Sequence, residues 1–223
     1  MQLIIGNYNY SSWSMRPWLF IEHHALPVEV LKMHLSSEEL LSRLGQHFSD
    51  GKVPLLTTDT GDVWDSLAIL EFLGERYPHT QPWPIDSQAR AIARSVSAEM
   101  HSSFNALRTE VPMNCRRYYS ELRLSDRAKS EVQRIMKVWS YCRVNFGEGG
   151  PWLFGSFSIA DAMFAPVVMR FRSVDVELTE DAKAYCETVN QSAAVKKWIE
   201  LALIESETIE AAELDLPSQE LKS

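Results

Sequence analysis

The spacing of apolar residues changes period several times in the first third of the chain. Leu3-Ile4-Ile5 is a short β-rich run stopped by Gly6-Asn7, which predicts a strand over about 2–6. Trp18, Leu19, Ile21 and His24-Ala25 then recur at helical spacing, predicting a helix that ends near Ala25, ahead of Pro27. Proline is tolerated in the first turn of a helix, where its missing N–H is not needed. Pro17 therefore points to an N-cap near Ser14, with Ser11 and Ser12 in the loop before it. A second strand is predicted from Val28 to about Met33, and Ser36 with Glu39 has capping-box spacing that opens a short helix. The runs at about 53–57 and 62–64 read as a hairpin turned by Asp59-Thr60-Gly61. Asp65-Ser66 then caps a helix from about Leu67 to Tyr77. This β-α-β-α-β-β-α order predicts a small α/β unit on a four-stranded mixed sheet.

The pattern shifts after Tyr77. Pro78, Pro82 and Pro84 forbid helix continuation and mark a stiff linker over about 78–84. Beyond it, helical periodicity dominates, at about 87–109, 126–146, 159–172, 180–189 and 193–206, and β-rich runs are absent. The second half is expected to be all-helical. The acidic tail after about 208, which contains proline and serine, is expected to dock loosely or fray.

Composition narrows the partners. A formal net charge of −8 without a basic cluster disfavours nucleic-acid and anionic-membrane binding, and the Arg116-Arg117 pair is too short to alter that. Cys115, Cys142 and Cys186 have no metal-ligand or C-x-x-C spacing, and the histidines have no zinc-like spacing. An odd, sparse cysteine count fits reduced thiols. With no signal-peptide pattern and no apolar run near the length of a membrane span, the expectation is a cytoplasmic protein.

The candidate chemistry begins with Tyr10-Ser11-Ser12-Trp13-Ser14-Met15-Arg16-Pro17, between a strand and a helix. A helix start presents unpaired N–H groups and the positive end of the dipole, and so favours negative charge. A serine hydroxyl there is too weak an acid to act unaided as a nucleophile, and no G-x-S-x-G elbow is present. It can, however, donate to a thiolate. Lowering a thiol by two pKa units takes only about 2.7 kcal/mol. One charge-assisted hydrogen bond of about 1.5–3 kcal/mol plus a helix terminus is enough. Lys52-Val53-Pro54 is a second candidate, because a proline opening a strand can be cis and leave the Val53 backbone free for a ligand. In the third, Asp65-Ser66, the carboxylate can hold an ammonium while the hydroxyl and helix N–H groups hold a carboxylate.

In this order, over nearly the whole chain, these segments resemble the cytosolic glutathione S-transferases. Ser11-Ser12-Trp13-Ser14-Met15-Arg16 resembles the serine motif of the zeta class, which is maleylacetoacetate isomerase-like. Gly51-Lys52-Val53-Pro54 and Trp64-Asp65-Ser66-Leu67-Ala68-Ile69 match the two further glutathione-site segments. Gly155-Ser156-Phe157-Ser158-Ile159-Ala160-Asp161 resembles the helix-capping signature of the second domain, with Ser158 and Asp161 at capping-box spacing.

The resemblance implies an α/β thioredoxin-like N-terminal domain (1–77), a proline-rich linker (78–84) and an all-α C-terminal helical domain (85–223). It implies a homodimer, glutathione as co-substrate and no metal. Pro54 is expected to be cis. Val53 is expected to pair with the cysteinyl unit, Asp65 and Ser66 to hold the γ-glutamyl end, and Lys52 to reach the glycyl carboxylate. Ser11 matches the leading serine of the motif and is expected to donate to the thiolate, with Ser12, in the same loop, the close alternative. Trp13 stands where the zeta motif has cysteine, and no cysteine precedes Cys115, which disfavours mixed-disulfide chemistry. The implied activity is attack of a serine-stabilised thiolate on a small electrophile. The alternatives are a glutathione-dependent isomerase and a catalytically weak binding module. The electrophile pocket is expected between the domains, near Met100, His101, Phe104, Leu107 and Arg108, with Arg116 a further candidate for meeting an anionic co-substrate.

Overall fold

The computed structural model describes residues 1–34, 44, 45, 47 and 49–221. Strands β1 (Gln2–Ile5), β2 (Glu29–Lys32), β3 (Leu55–Thr58) and β4 (Gly61–Trp64) form one mixed sheet in the order β2-β1-β3-β4. Leu3 lies opposite Val30 in the parallel β1–β2 pair and opposite Leu56 in the antiparallel β1–β3 pair. A parallel pair needs a crossover, and helix α1 (Ser12–His23) supplies it. Gly61, at φ 137°, closes the β3–β4 turn in a conformation that side chains resist. Helix α2 (Ser66–Arg76) follows the hairpin. The predicted capping box of Ser36 and Glu39 lies outside the described residues.

Helix α1 starts earlier than Pro17 suggests. Its N-cap is Ser11, not a residue near Ser14, so Pro17 lies in the helix interior. An interior proline costs about 3 kcal/mol through one lost hydrogen bond and a carbonyl clash. Burial outweighs it: Trp18, Leu19, Phe20 and Ile21 are all buried, each contributing about 1.5–3 kcal/mol. α1 packs against α2 in its own unit and against the helical half on its other side.

That half contains α3 (Ser87–Ser102), α4 (Asn105–Glu110), α5 (Asp126–Phe146), α6 (Ile159–Arg172), α7 (Glu180–Gln191) and α8 (Ala193–Leu203). The single helix predicted over 87–109 is two. Phe104 takes φ 64°, burying its ring, and Arg108 Nε donates to the Ser103 carbonyl at 2.9 Å, satisfying the broken end of α3. α6 is buried from Ile159 to Phe171, so it is the axis on which α1, α3 and α7 pack. Gly74 on α2 lets the linker come close, since a Cβ there would meet Pro82 at 2.8 Å.

The tail does not fray. Among the described residues it runs back across the loop before α1. Just ahead of the tail, the buried Glu205 carboxylate accepts from the Tyr8 and Asn9 N–H groups at 3.0 Å and from Lys32 Nζ at 2.8 Å. Glu213 accepts from the hydroxyls of Tyr10 and Tyr119 and from Asn114. Arg116, a candidate for an anionic co-substrate, instead donates to the Glu205 and Glu207 carbonyls and to the Tyr10 hydroxyl. A short ladder pairs β5 (Arg117–Tyr118) with β6 (Gln219–Glu220), so the second half is not wholly helical. An acidic tail orders here because loop N–H groups and side-chain donors meet its carboxylates.

Candidate functional site

The first turn of α2 forms the floor of a cavity of about 400 Å³ lined by Trp13, Lys52, Val53, Pro54, Trp64, Asp65 and Ser66. Four of the six predicted site residues (Lys52, Val53, Asp65 and Ser66) are therefore brought together. The Val53-Pro54 bond is cis, and Val53 precedes the first residue of the β3 ladder. Asp65 is the N-cap, with Oδ1 accepting from the Leu67 N–H at 2.9 Å, and it takes φ 72°, an uncommon conformation for a residue with a side chain. Ser66 is buried and Lys52 is exposed. The cavity thus combines a helix N-terminus, a carboxylate, a hydroxyl and an ammonium. A larger hollow, about 710 Å³ between Leu122 and Thr179, has no such convergence of groups at a helix start.

Ser11 and Ser12 adjoin this cavity through Trp13 rather than lining it, and both are buried. The Ser11 hydroxyl donates to Ser14 Oγ at 2.7 Å, and the Gly6 N–H donates to the same oxygen at 3.1 Å. Ser14 therefore ties the end of β1 to α1 instead of capping the helix. Ser12 Oγ accepts from Arg170 Nη2 at 3.4 Å.

Of the charge behind these groups, sequence reasoning named Arg108 and missed Arg16 and Arg170. Arg16 is 1% exposed; its Nη1 donates to Ser66 Oγ at 3.1 Å, while its Nε has no partner. Its guanidinium lies 4.3 Å from the centre of the Trp13 ring, and that of Arg108 lies 5.0 Å from it. Arg170, from α6, donates to the Val111 carbonyl at 3.2 Å as well as to Ser12. No ion pair to a carboxylate is formed by Arg16, Arg108 or Arg170 among the described residues. Burial first, then the charge of Arg108, lowers Arg170 to about 9. Burial together with the charges of Arg108 and Arg170 lowers Arg16 well below its usual range, and the nearby Asp65 opposes this.

His101 Nε2 lies 3.3 Å from Asp65 Oδ2, and its ring meets the Trp13 ring edge-on at 5.2 Å. Burial lowers its pKa against the pull of Asp65. Met100, Phe104 and Leu107 are core residues rather than cavity walls. Arg16 follows Ser12 by one helical turn, a spacing that marks them as neighbours along α1. The local signal for Arg170 is its place in the apolar run Val167-Val168-Met169-Arg170-Phe171, which marks it as buried but does not show what it meets.

Residues 10–76 match the family model for the glutathione S-transferase N-terminal domain, and residues 96–200 match that for the C-terminal domain. A probable maleylacetoacetate isomerase of Caenorhabditis elegans is 32% identical over 104 residues; the match spans 47% of this chain and about half, 49%, of that relative. A maleylpyruvate isomerase of Ralstonia sp is 27% identical over 188 residues, spanning 77% of this chain and 84% of that one. Among solved structures, a holo maleyl pyruvate isomerase described as a bacterial zeta-class glutathione S-transferase superposes with a TM-score of 0.70 at 21% identity, covering 93% of this chain and 100% of that one. A Burkholderia glutathione transferase homologue with bound glutathione superposes with a TM-score of 0.66 at 22% identity, covering 90% and 96%. At these identities the structural likenesses bear on the fold: a thioredoxin-like first domain followed by a helical one.

Proposed function

The chain belongs to the glutathione S-transferase family, and from that premise we propose that it binds glutathione at the start of α2 and holds its sulfur as a thiolate for attack on a small electrophile. The carrying observation is the convergence of Val53, Asp65 and Ser66 on one cavity beside a helix N-terminus. In this reading Asp65 holds the γ-glutamyl ammonium, and Ser66 with the first N–H groups of α2 holds its carboxylate. The Val53 backbone pairs with the cysteinyl unit, and Lys52 reaches the glycyl carboxylate. Residues 1–77 supply this site, 78–84 link, and 85–223 supply the electrophile's side. The thiol proton passes to solvent, a hydroxyl of Ser11 or Ser12 donates to the thiolate, and sulfur forms a bond to the electrophilic carbon. A leaving group then departs, or in an isomerisation the sulfur is expelled after rotation about the adjacent carbon–carbon bond.

The isomerase version is favoured by two observations. Relatives bear isomerase names, and the guanidiniums of Arg16 and Arg108 lie over the Trp13 ring without an ion pair to a carboxylate among the described residues, which suits an electrophile that itself carries a carboxylate. A homodimeric, cytoplasmic protein completes the reading, with light scattering as the check on the dimer.

Calorimetry with reduced glutathione tests the proposal. Wild type is expected to bind, and Asp65→Ala to bind about tenfold more weakly, a loss near 1.4 kcal/mol. Equal affinity of the two proteins, or no binding by either, rejects it. Turnover with a panel of halonitrobenzenes and maleyl-type acids separates the transferase and isomerase versions from a binding module.

A further inference from the structure

The two candidate hydroxyls are wired differently. Ser11 spends its proton on Ser14 Oγ at 2.7 Å, and Ser14 Oγ is also held by the Gly6 N–H, so this pair is closed on itself. Ser12 is the reverse. Its oxygen accepts from Arg170 Nη2 at 3.4 Å, which leaves the hydroxyl proton free to donate. An oxygen that accepts from a cation also makes its own O–H a stronger donor, because hydrogen bonds in a chain polarise one another. The same wiring recurs across the cavity floor, where Arg16 Nη1 donates to Ser66 Oγ at 3.1 Å. Each of these two serines therefore has a buried guanidinium on its oxygen and keeps a hydroxyl proton that can be donated elsewhere.

Resting on the reading that glutathione occupies this cavity, we infer that Ser12, not Ser11, donates to the thiolate, and that Arg170 of the helical domain is the positioning residue that orients and polarises it.

Arg170 is fixed for this task. Its second amino group donates to the Val111 carbonyl at 3.2 Å, and its own carbonyl accepts from the Ser173 hydroxyl at 2.8 Å. The side chain crosses from α6 to the first turn of α1, along the contact that joins the two halves of the molecule. The groups facing it are Arg108 and Arg16, which repel it, and the Cys115 thiol, which burial pushes up to about 12 and so keeps neutral. No carboxylate pairs with Arg170 among the described residues, so its charge acts on Ser12 without a competing acid. The thiolate is thus stabilised by a relay that begins in the second domain, and thiol activation depends on the seating of α6 against α1.

The test is the pKa of the bound thiol, read from thiolate absorbance near 240 nm against pH, alongside the glutathione Kd by calorimetry. Ser12→Ala is expected to raise the bound thiol by about one unit, a tenfold loss of thiolate at neutral pH, with Kd changed less than about threefold. Ser11→Ala is expected to give a clearly smaller rise. Arg170→Gln, which keeps a donor and removes the charge, is expected to shift the thiol in the direction of Ser12→Ala, and Arg170→Lys to recover part of the shift. In Ser12→Ala, adding Arg170→Gln should move the thiol no further, since the two act in series. Should Arg170 variants fail to fold, the Ser11 and Ser12 pair decides alone. A larger shift in Ser11→Ala than in Ser12→Ala, equal shifts, or additive shifts for Ser12 and Arg170 would overturn the inference while leaving glutathione binding intact. A wild type that binds no glutathione overturns the functional reading and this inference with it.

Discussion

Around Asp161, a buried carboxylate is met on every side by donors. The Leu153 and Ser158 N–H groups and the Ser158 and Tyr185 hydroxyls all point at it, within 3.1 Å. Near Trp13 the balance is reversed: the guanidiniums of Arg16 and Arg108 lie over the ring and that of Arg170 meets Ser12, all three bonded to neutral oxygens, with the Asp65 carboxylate opposing them in part. A satisfied buried ion specifies the fold, because removing it strands its partners. A cluster of one sign that carboxylates answer only in part raises the potential of its surroundings and is relieved further by an opposite charge from outside. The two regions thus separate a part of the molecule that is complete in itself from a part completed by a ligand.

The largest effect that would break this comparison is expected at Asp161. Asp161→Ala should lose about 3 kcal/mol or more in urea unfolding, as four donors lose their acceptor. A loss below about 1 kcal/mol would remove Asp161 as the example of a self-sufficient site. The pH dependence has a definite sign. Burial raises this carboxyl to about 6, above its unfolded value near 4. The folded state then keeps a proton that the unfolded state has released, so this contribution to stability is full at low pH and lost as pH rises from about 4 to 6. Asp161→Asn should lack that slope.

Glu205→Ala comes next, at about 2 kcal/mol in thermal unfolding, because two loop N–H groups and Lys32 lose a shared charged acceptor. Glutathione affinity should fall with it, as the loop leads directly into Ser11. An unchanged affinity would separate the tail from the site.

Arg16→Met sharpens the comparison most directly. Replacing an unpaired buried guanidinium with an apolar chain of similar length should be neutral or stabilising by about 1 kcal/mol. It should nonetheless weaken glutathione binding, since Ser66 loses its backing. A strongly destabilised Arg16→Met that binds normally would mean that the arginine serves packing alone. The smallest effect is expected for His101→Gln: about 0.5 kcal/mol in unfolding, as for other half-exposed pairs, and less than about threefold in glutathione Kd.

The sequence carried most of the local structure. The four strands of the first sheet, the hairpin glycine, the Asp65 cap and the helices from Asp126 onward follow from period and punctuation, which act within a few residues. The errors were of another kind. Pro17 suggested a late start to α1 because the local cost of an interior proline is legible, whereas the burial that outweighs it comes from partners far along the chain. The break at Phe104 leaves the apolar spacing intact, so period alone could not reveal it. The tail read as loose because acidic residues far from their donors look solvated.

The site divides the same way. Lys52, Val53, Asp65 and Ser66 lie on two short segments whose order in the chain is informative. The arginine that backs Ser12 comes from a helix 158 positions away, and the apolar run around Arg170 marks it as buried without showing what it meets.

Glu205 clasps a loop 197 positions before it, and Glu213 holds Tyr10 of the same loop. That loop comes early in this sequence and is fastened by residues far downstream of it. The serine run therefore precedes its clasp by nearly two hundred positions, and docking of Glu205 and Glu213 is the event that completes the start of α1. Fragments truncated before residue 205 should fold their sheet and still lack the seated loop.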